Sequence, residues 1–73
     1  MKSDIYSREH GRLIQRLIDA RKEAGLNQIE AAKRLGRSQS YISKIEVGQR
    51  KIDVIELKKI AKVYKKSASY FLT

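Results

Sequence analysis

The chain has 73 residues, no Cys, a single His and a formal net charge of +9, from 17 Lys and Arg against 8 Asp and Glu. So short a chain builds one domain with one modest core. The lack of Cys excludes a disulfide scaffold and thiolate metal sites, and His10 alone cannot make a zinc site.

No apolar run approaches the ~18 residues of a membrane span. No apolar signal core precedes Arg8-Glu9-His10, so the cytosol is the expected compartment. Residues 1–73 are expected to form a single unit, residues 1–6 a flexible N-terminal arm, and Thr73 to leave no room for a ligand-binding or protease-like domain.

Leu13, Ile14, Leu17, Ile18, Arg21 and Ala24 recur at spacings of three and four, which predicts a first helix from about Ser7 to Ala24. Gly25 fits the left-handed residue that ends such a helix, with Leu26 folding back on the preceding turn. Asn27 suits the N-cap of a second helix, Gln28 to Leu35, with Glu30 in its first turn. Gly36 opens a short turn, Ser38 can cap a third helix from Gln39 to about Val47, and Gly48 ends it.

The basic loop Gln49-Arg50-Lys51 follows. Asp53 and Glu56 have the spacing of a capping box, and Ile52 and Leu57 that of a hydrophobic staple. Leu57, Ile60, Ala61 and Tyr64 form the apolar stripe of the fourth helix. Ser67 is expected to cap a last short helix through Ala68, Tyr70, Phe71 and Leu72. No strand signal, repeat or low-complexity segment is present. The fold class is all-α, five short helices around one core.

An excess of positive charge suits nucleic acid or an anionic membrane surface. Its distribution is informative. Between Lys33 and Lys51 lie Lys33, Arg34, Arg37, Lys44, Arg50 and Lys51, against the single acid Glu46. Lys58, Lys59, Lys62, Lys65 and Lys66 form a second basic block. The apolar stripes are needed for the only core, which argues against a membrane role. No nucleophile, base and acid stand together as an enzyme requires, and Ser43 has no evident base.

Two short helices joined by a Gly-containing turn make an acute pair. Ala32 and Leu35 can pack on Ile42 and Ile45, leaving Gln39, Ser40, Ser43 and Lys44 outside. Such side chains can bond base edges in a major groove about 12 Å wide, Gln suiting adenine and Lys guanine. An ordinary solvated face would look the same, but this face lies between the basic turn and the basic loop.

The stretch Leu26-Asn27-Gln28 through Ala32, Leu35-Gly36, Ser38-Gln39-Ser40, Ile42-Ser43 and Ile45-Glu46 with Gly48 resembles the Cro and phage-repressor type helix-turn-helix family, also called the xenobiotic-response-element (XRE) family. The resemblance reaches from about Leu13 to Phe71. It implies a lambda-repressor-like fold, double-stranded DNA as partner, a homodimer, and no cofactor or metal. It gives Gln39, Ser40, Ser43 and Lys44 as base readers. Gln28, Arg37, Tyr41, Arg50 and Lys51 are assigned to the phosphate backbone, Tyr41 with a thymine methyl as its alternative. Gln28 at a helix N-terminus suits an anion.

Arg21 among apolar positions and Glu46 opposing the dipole of its helix are both explained by an ion pair, as matching positions make in the family. Ala31 stands where the family usually has a larger aliphatic residue, which thins the core unless Ile29 compensates; Ile29 is read as structural. The tail Tyr70, Phe71 and Leu72 has two readings, closing the core or forming a dimer interface. The implied function is a sequence-specific transcriptional regulator, a dimeric repressor reading a palindrome. The alternative is a protein-interaction module, such as an antitoxin or polymerase-binding controller, with DNA binding secondary.

Overall fold

Local capping chemistry divides the chain into its helices. The computed structural model describes residues 2–72, with side chains from Arg8 to Leu72. The helices are α1 (Lys2–Glu23), α2 (Gln28–Leu35), α3 (Gln39–Glu46), α4 (Val54–Val63) and α5 (Ala68–Leu72). At α2 the Asn27 side chain accepts from the Glu30 N–H at 2.8 Å, and the Glu30 carboxylate accepts from the Asn27 N–H at 2.9 Å. Asp53 and Glu56 repeat this box at α4, with distances of 2.7 and 3.0 Å. The Ser38 hydroxyl accepts from the Tyr41 N–H at 3.3 Å. Each bond satisfies an N–H that the helix itself leaves unpaired.

Four helices end in the same way, α3 with the Gln49 N–H on the Lys44 carbonyl at 2.8 Å and the Gly48 N–H on that of Ile45 at 3.1 Å. After α1, the Leu26 N–H reaches the Arg21 carbonyl at 3.1 Å and the Gly25 N–H reaches that of Lys22 at 2.9 Å. After α2, Arg37 bonds back to Ala32 at 2.9 Å and Gly36 to Lys33 at 3.1 Å. After α4, Lys66 bonds to Ala61 at 2.9 Å and Lys65 to Lys62 at 3.2 Å. This motif needs one left-handed residue. Gly36 supplies it with φ +68°, whereas after α4 it is Lys65, with φ +62°.

The core gathers Leu17 and Ala20 of α1, Leu26 of the turn after it, Ala31 and Ala32 of α2, Tyr41, Ile42 and Ile45 of α3, Leu57, Ile60 and Ala61 of α4 with its cap Tyr64, and Phe71 of α5. Ile42 and Ile60 lie at its centre, 2% and 1% exposed. Burying each contributes roughly 1.5–3 kcal/mol. α2 packs on α3, α1 lies against both α3 and α5, and α4 closes on α2 and α5. Ile52 and Leu57 both join the core, as the staple requires.

Four expectations need correction. The first helix begins at Lys2, not near Ser7, because its early turns carry no apolar stripe that periodicity could detect. The backbone of the expected arm is thus helical from Lys2, while Met1 and the side chains through Ser7 lie outside the described residues. Helix three ends at Glu46, with Val47 as its cap. Ile29 is 55% exposed while Ala31 is fully buried, so Ile29 does not fill the core. The Ser67 hydroxyl lies 3.0 Å from that of Ser69, and α5 shows no side-chain cap.

The shared turn geometry sets up opposite outcomes for two substitutions. A left-handed residue with a Cβ costs roughly 1–2 kcal/mol. Gly36→Ala is expected to lower stability by about that amount. Lys65→Gly is expected to raise it by up to about 1 kcal/mol, less the entropy that Gly adds to the unfolded chain. Thermal unfolding of both variants beside the parent chain checks this, at roughly 4–8 °C per kcal/mol for so small a domain.

Candidate nucleic-acid interface

Ile42 and Ile45 face the core, so the opposite side of α3 must face water. Gln39, Ser40 and Lys44 are exposed there, with Ser43 half-buried beside them. Positions 39, 40, 43 and 44 share one face because residues four apart lie one above the other on a helix. The four side chains assigned to base reading therefore form one polar strip. No larger side chain covers it in sequence or by the packing of α2.

Behind the strip runs a chain of hydrogen bonds. Arg21 Nε donates to Glu46 Oε2 at 2.7 Å and Nη2 donates to Oε1 at 3.0 Å. Arg21 Nη1 donates to the Leu26 carbonyl at 2.9 Å. The two side chains are only 10% and 6% exposed. The hydrogen bonds to Glu46 raise the Arg21 pKa despite the opposing effect of burial. Gln28 Nε2 then donates to Glu46 Oε1 at 2.9 Å, and Gln39 Nε2 donates to Gln28 Oε1 at 3.2 Å. The pair expected from Arg21 and Glu46 is thus present, and it continues through Gln28 to the exposed strip.

A second cluster occupies the turn and loop beside α3. The guanidinium carbon of Arg37 lies 4.2 Å from the centre of the Tyr41 ring, and that of Arg50 lies 4.9 Å from it. Glu56 Oε2 accepts from Arg50 Nη2 at 2.7 Å and from Arg37 Nη2 at 3.3 Å. The Asp53 N–H holds the Glu56 carboxyl below its ordinary range against the opposing effect of burial, and the Arg50 charge adds to the lowering. Burial pushes the Tyr41 phenol up. Tyr41 is 8% exposed, and its ring is a platform for the two arginines. Arg37 and Arg50 keep 46% and 39% of their side-chain surface exposed, and Lys51 is exposed beyond them.

Glu56 was legible only as half of a capping box. Its second oxygen gathers both arginines, a role that an acid so close to a basic loop could have signalled. Of the two readings of the tail, Phe71 takes the core position. Phe71 is 3% exposed and meets Tyr70 edge-on at 5.0 Å. The half-buried Tyr70 ring lies under Arg16 and Lys66, at 5.4 and 4.7 Å. Phe71 therefore closes the core, and Leu72 is 70% exposed. Val54 and Ile55, at 67% and 59%, are exposed at the start of α4.

Among the described residues no group of three or more His, Cys, Asp or Glu could hold a metal. No helix there is long and apolar enough to cross a membrane.

Two helices held at a tight turn, with the second presenting a polar face between cations, define a helix-turn-helix domain. A helix-turn-helix family model matches residues 17–71. A solved structure, an XRE-family like protein from Pseudomonas syringae pv. tomato str. DC3000, superposes with a TM-score of 0.88 at 35% identity, covering 97% of this chain and 87% of that one. No curated protein matches. The chain belongs to the XRE-type helix-turn-helix family, and with it to the DNA-binding transcription regulators.

Removing one member of a buried ion pair leaves the other charge stranded, at a cost of about 3–5 kcal/mol. Arg21→Ala strands both the Glu46 carboxylate and the Leu26 carbonyl, and a loss of that size is expected in urea unfolding. Glu23→Gln removes the exposed pair with Lys66, and is expected to cost no more than about 1 kcal/mol.

Alkali attacks the same region through Tyr64, whose pKa burial pushes up to about 12 from its ordinary 10.0. The unfolded phenol ionises first, so this group's stabilising effect is complete below pH 10 and is lost as pH rises towards about 12. Helical signal against pH should fall in that window, and Tyr64→Phe should flatten the fall.

Proposed function

We propose that the protein is a sequence-specific regulator of transcription acting in the cytosol as a dimeric repressor, with α3 of each copy in the major groove of a palindromic operator. The observation that carries this reading is the uncovered polar strip of α3. Arg37 and Arg50 gather beside it on Tyr41 and Glu56, and Lys51 of the same loop is exposed. Gln39 suits adenine, Lys44 suits guanine, and Ser40 and Ser43 accept several bases. Cations around the strip supply the sequence-independent attraction of phosphate.

One short helix reads only a few base pairs. Two copies about 34 Å apart double the site and fit a palindrome. Leu72, and Val54 with Ile55, are apolar side chains available to a second copy. Repression then follows from occupancy of the operator, set by the concentration of the protein.

Titrations of a selected operator and of scrambled DNA at several salt concentrations test this. Gln39→Ala is expected to weaken the selected site by roughly 1–3 kcal/mol and leave the salt slope unchanged. Lys51→Ala is expected to weaken both DNAs and reduce the slope of log affinity against log salt by about 0.9. Equal weakening of both DNAs by Gln39→Ala would sink the reading role of α3. A protein that saturates the palindrome as a lone monomer in sedimentation would refute the dimer.

A further inference from the structure

We infer that the outward face of α4 is a docking site for an acidic, amphipathic segment of another protein. The inference does not depend on which residues of α3 read DNA.

Helix geometry defines the face. Leu57, Ile60 and Ala61 turn one side of α4 into the core. At about 100° per residue, positions 55, 58, 59 and 62 fall within roughly 100° of arc on the other side, along about 10 Å of helix. Ile55, Lys58, Lys59 and Lys62 are all exposed there, and Val54 flanks them, 67% exposed. Apolar surface thus sits at the N-terminal end of the face, and three cations follow it.

These cations lack an internal counter-charge. Elsewhere the chain pairs its basic side chains, Arg21 with Glu46, Arg37 and Arg50 with Glu56, and Lys66 with Glu23. Among the described residues no hydrogen bond or ion pair engages Lys58, Lys59 or Lys62. Lys58 and Lys62, four apart on one helix, repel each other, and a partner's carboxylates would relieve that repulsion. Lys59 also lines a hollow of about 50 Å³ with Leu35, Arg37, Tyr41 and Glu56. The tip of one acidic side chain can enter it and meet the charges of Arg37 and Lys59.

The apolar pair decides the kind of partner. A phosphodiester backbone has nothing with which to bury Val54 and Ile55, and lysine lacks the fork with which arginine grips phosphate. A lipid surface would need a longer apolar stripe than two side chains at one end. A second copy suits the face poorly, because an isologous contact would set these lysines against their own counterparts. An acidic helix with apolar residues at spacings of three and four complements both parts of the face.

The test uses the full chain and a labelled acidic peptide with Glu and Leu at those helical spacings. A second peptide has the same composition in an order that spreads Leu around the helix. Titration by fluorescence anisotropy is expected to show the amphipathic peptide binding more tightly than its reordered form, by about fivefold or more. Amide shifts of the protein are expected at α4 and around the hollow. Replacing Lys58, Lys59 and Lys62 together by Gln is expected to weaken the peptide about tenfold. Replacing Lys22, Lys33 and Arg34 together by Gln removes the same charge from other exposed positions, and is expected to weaken it by about twofold or less. Ile55→Gln, which keeps a good helix former, is expected to cost about fivefold. Circular dichroism checks that each variant is folded.

Equal weakening by the two triple variants, or equal binding of the two peptides, would reduce the effect to net charge and overturn the site. Amide shifts confined to α3 would overturn it as well. Scrambled duplex DNA, titrated at several salt concentrations, supplies the other arm. The α4 triple variant is expected to change the slope of log affinity against log salt by less than about 0.9, the value of one phosphate contact. A larger fall assigns the face to DNA, and binding to phosphatidylserine vesicles that this variant abolishes assigns it to lipid; either refutes the proposal.

Discussion

The structure depends on a guanidinium and a carboxylate taken almost wholly out of water. Arg21 of α1 grips Glu46 of α3 with two parallel bonds and holds the Leu26 carbonyl with a third. A buried pair of this kind adds less net stability than its short distances suggest, since both charges must shed water. Its effect is on position. Apolar surfaces tolerate sliding, whereas a bidentate contact is lost within a fraction of an ångström. Glu46 is the last residue of α3, where the helix dipole disfavours an acid. The Arg21 charge offsets that penalty and anchors α3 to the longest element of the fold.

Glu56 plays the corresponding part at the outer edge. Its carboxylate closes a capping box with one oxygen and gathers Arg37 and Arg50 with the other. The Tyr41 ring gives both guanidiniums a surface to lie on. Long cationic side chains ordinarily lose rotamer freedom when they bind, at about 0.5–1.5 kcal/mol each. Here much of that ordering precedes any encounter. One acid thus sets α3 from within, and another shapes the cations beside it.

Much of the fold was legible because its signals are local. Asn27 with Glu30, Ser38, and Asp53 with Glu56 mark three helix starts through bonds spanning three residues. The Arg21–Glu46 pair was legible from two side chains that each broke the pattern of their own helix. The beginning of α1 was not, since a solvated turn leaves no apolar period. Ile29 could have been read better. It lies about 200° around the helix from Ala31, at about 100° per residue, so both cannot face one core. The contacts that Tyr41, Glu56 and Phe71 make in the fold were illegible for another reason. Their roles depend on residues from Arg16 to Lys66 that only the folded chain brings close. The links from Glu46 to Gln28 and from Gln28 to Gln39 were hidden in the same way.

The packing of α1 against α5 also has a bearing on synthesis. Leu17 is buried in a core that is complete only when Phe71 arrives, and Lys66 reaches back to Glu23 with a 2.7 Å bond. At about 5–20 residues per second, a ribosome needs about 3–11 s to travel between those two core positions. Through that interval the apolar stripe of α1 has no final covering, and the nascent chain is vulnerable to wrong associations. The many lysines and arginines emerging alongside it keep such chains apart by mutual repulsion. The charge suited to holding DNA thus also shields the protein before it has folded.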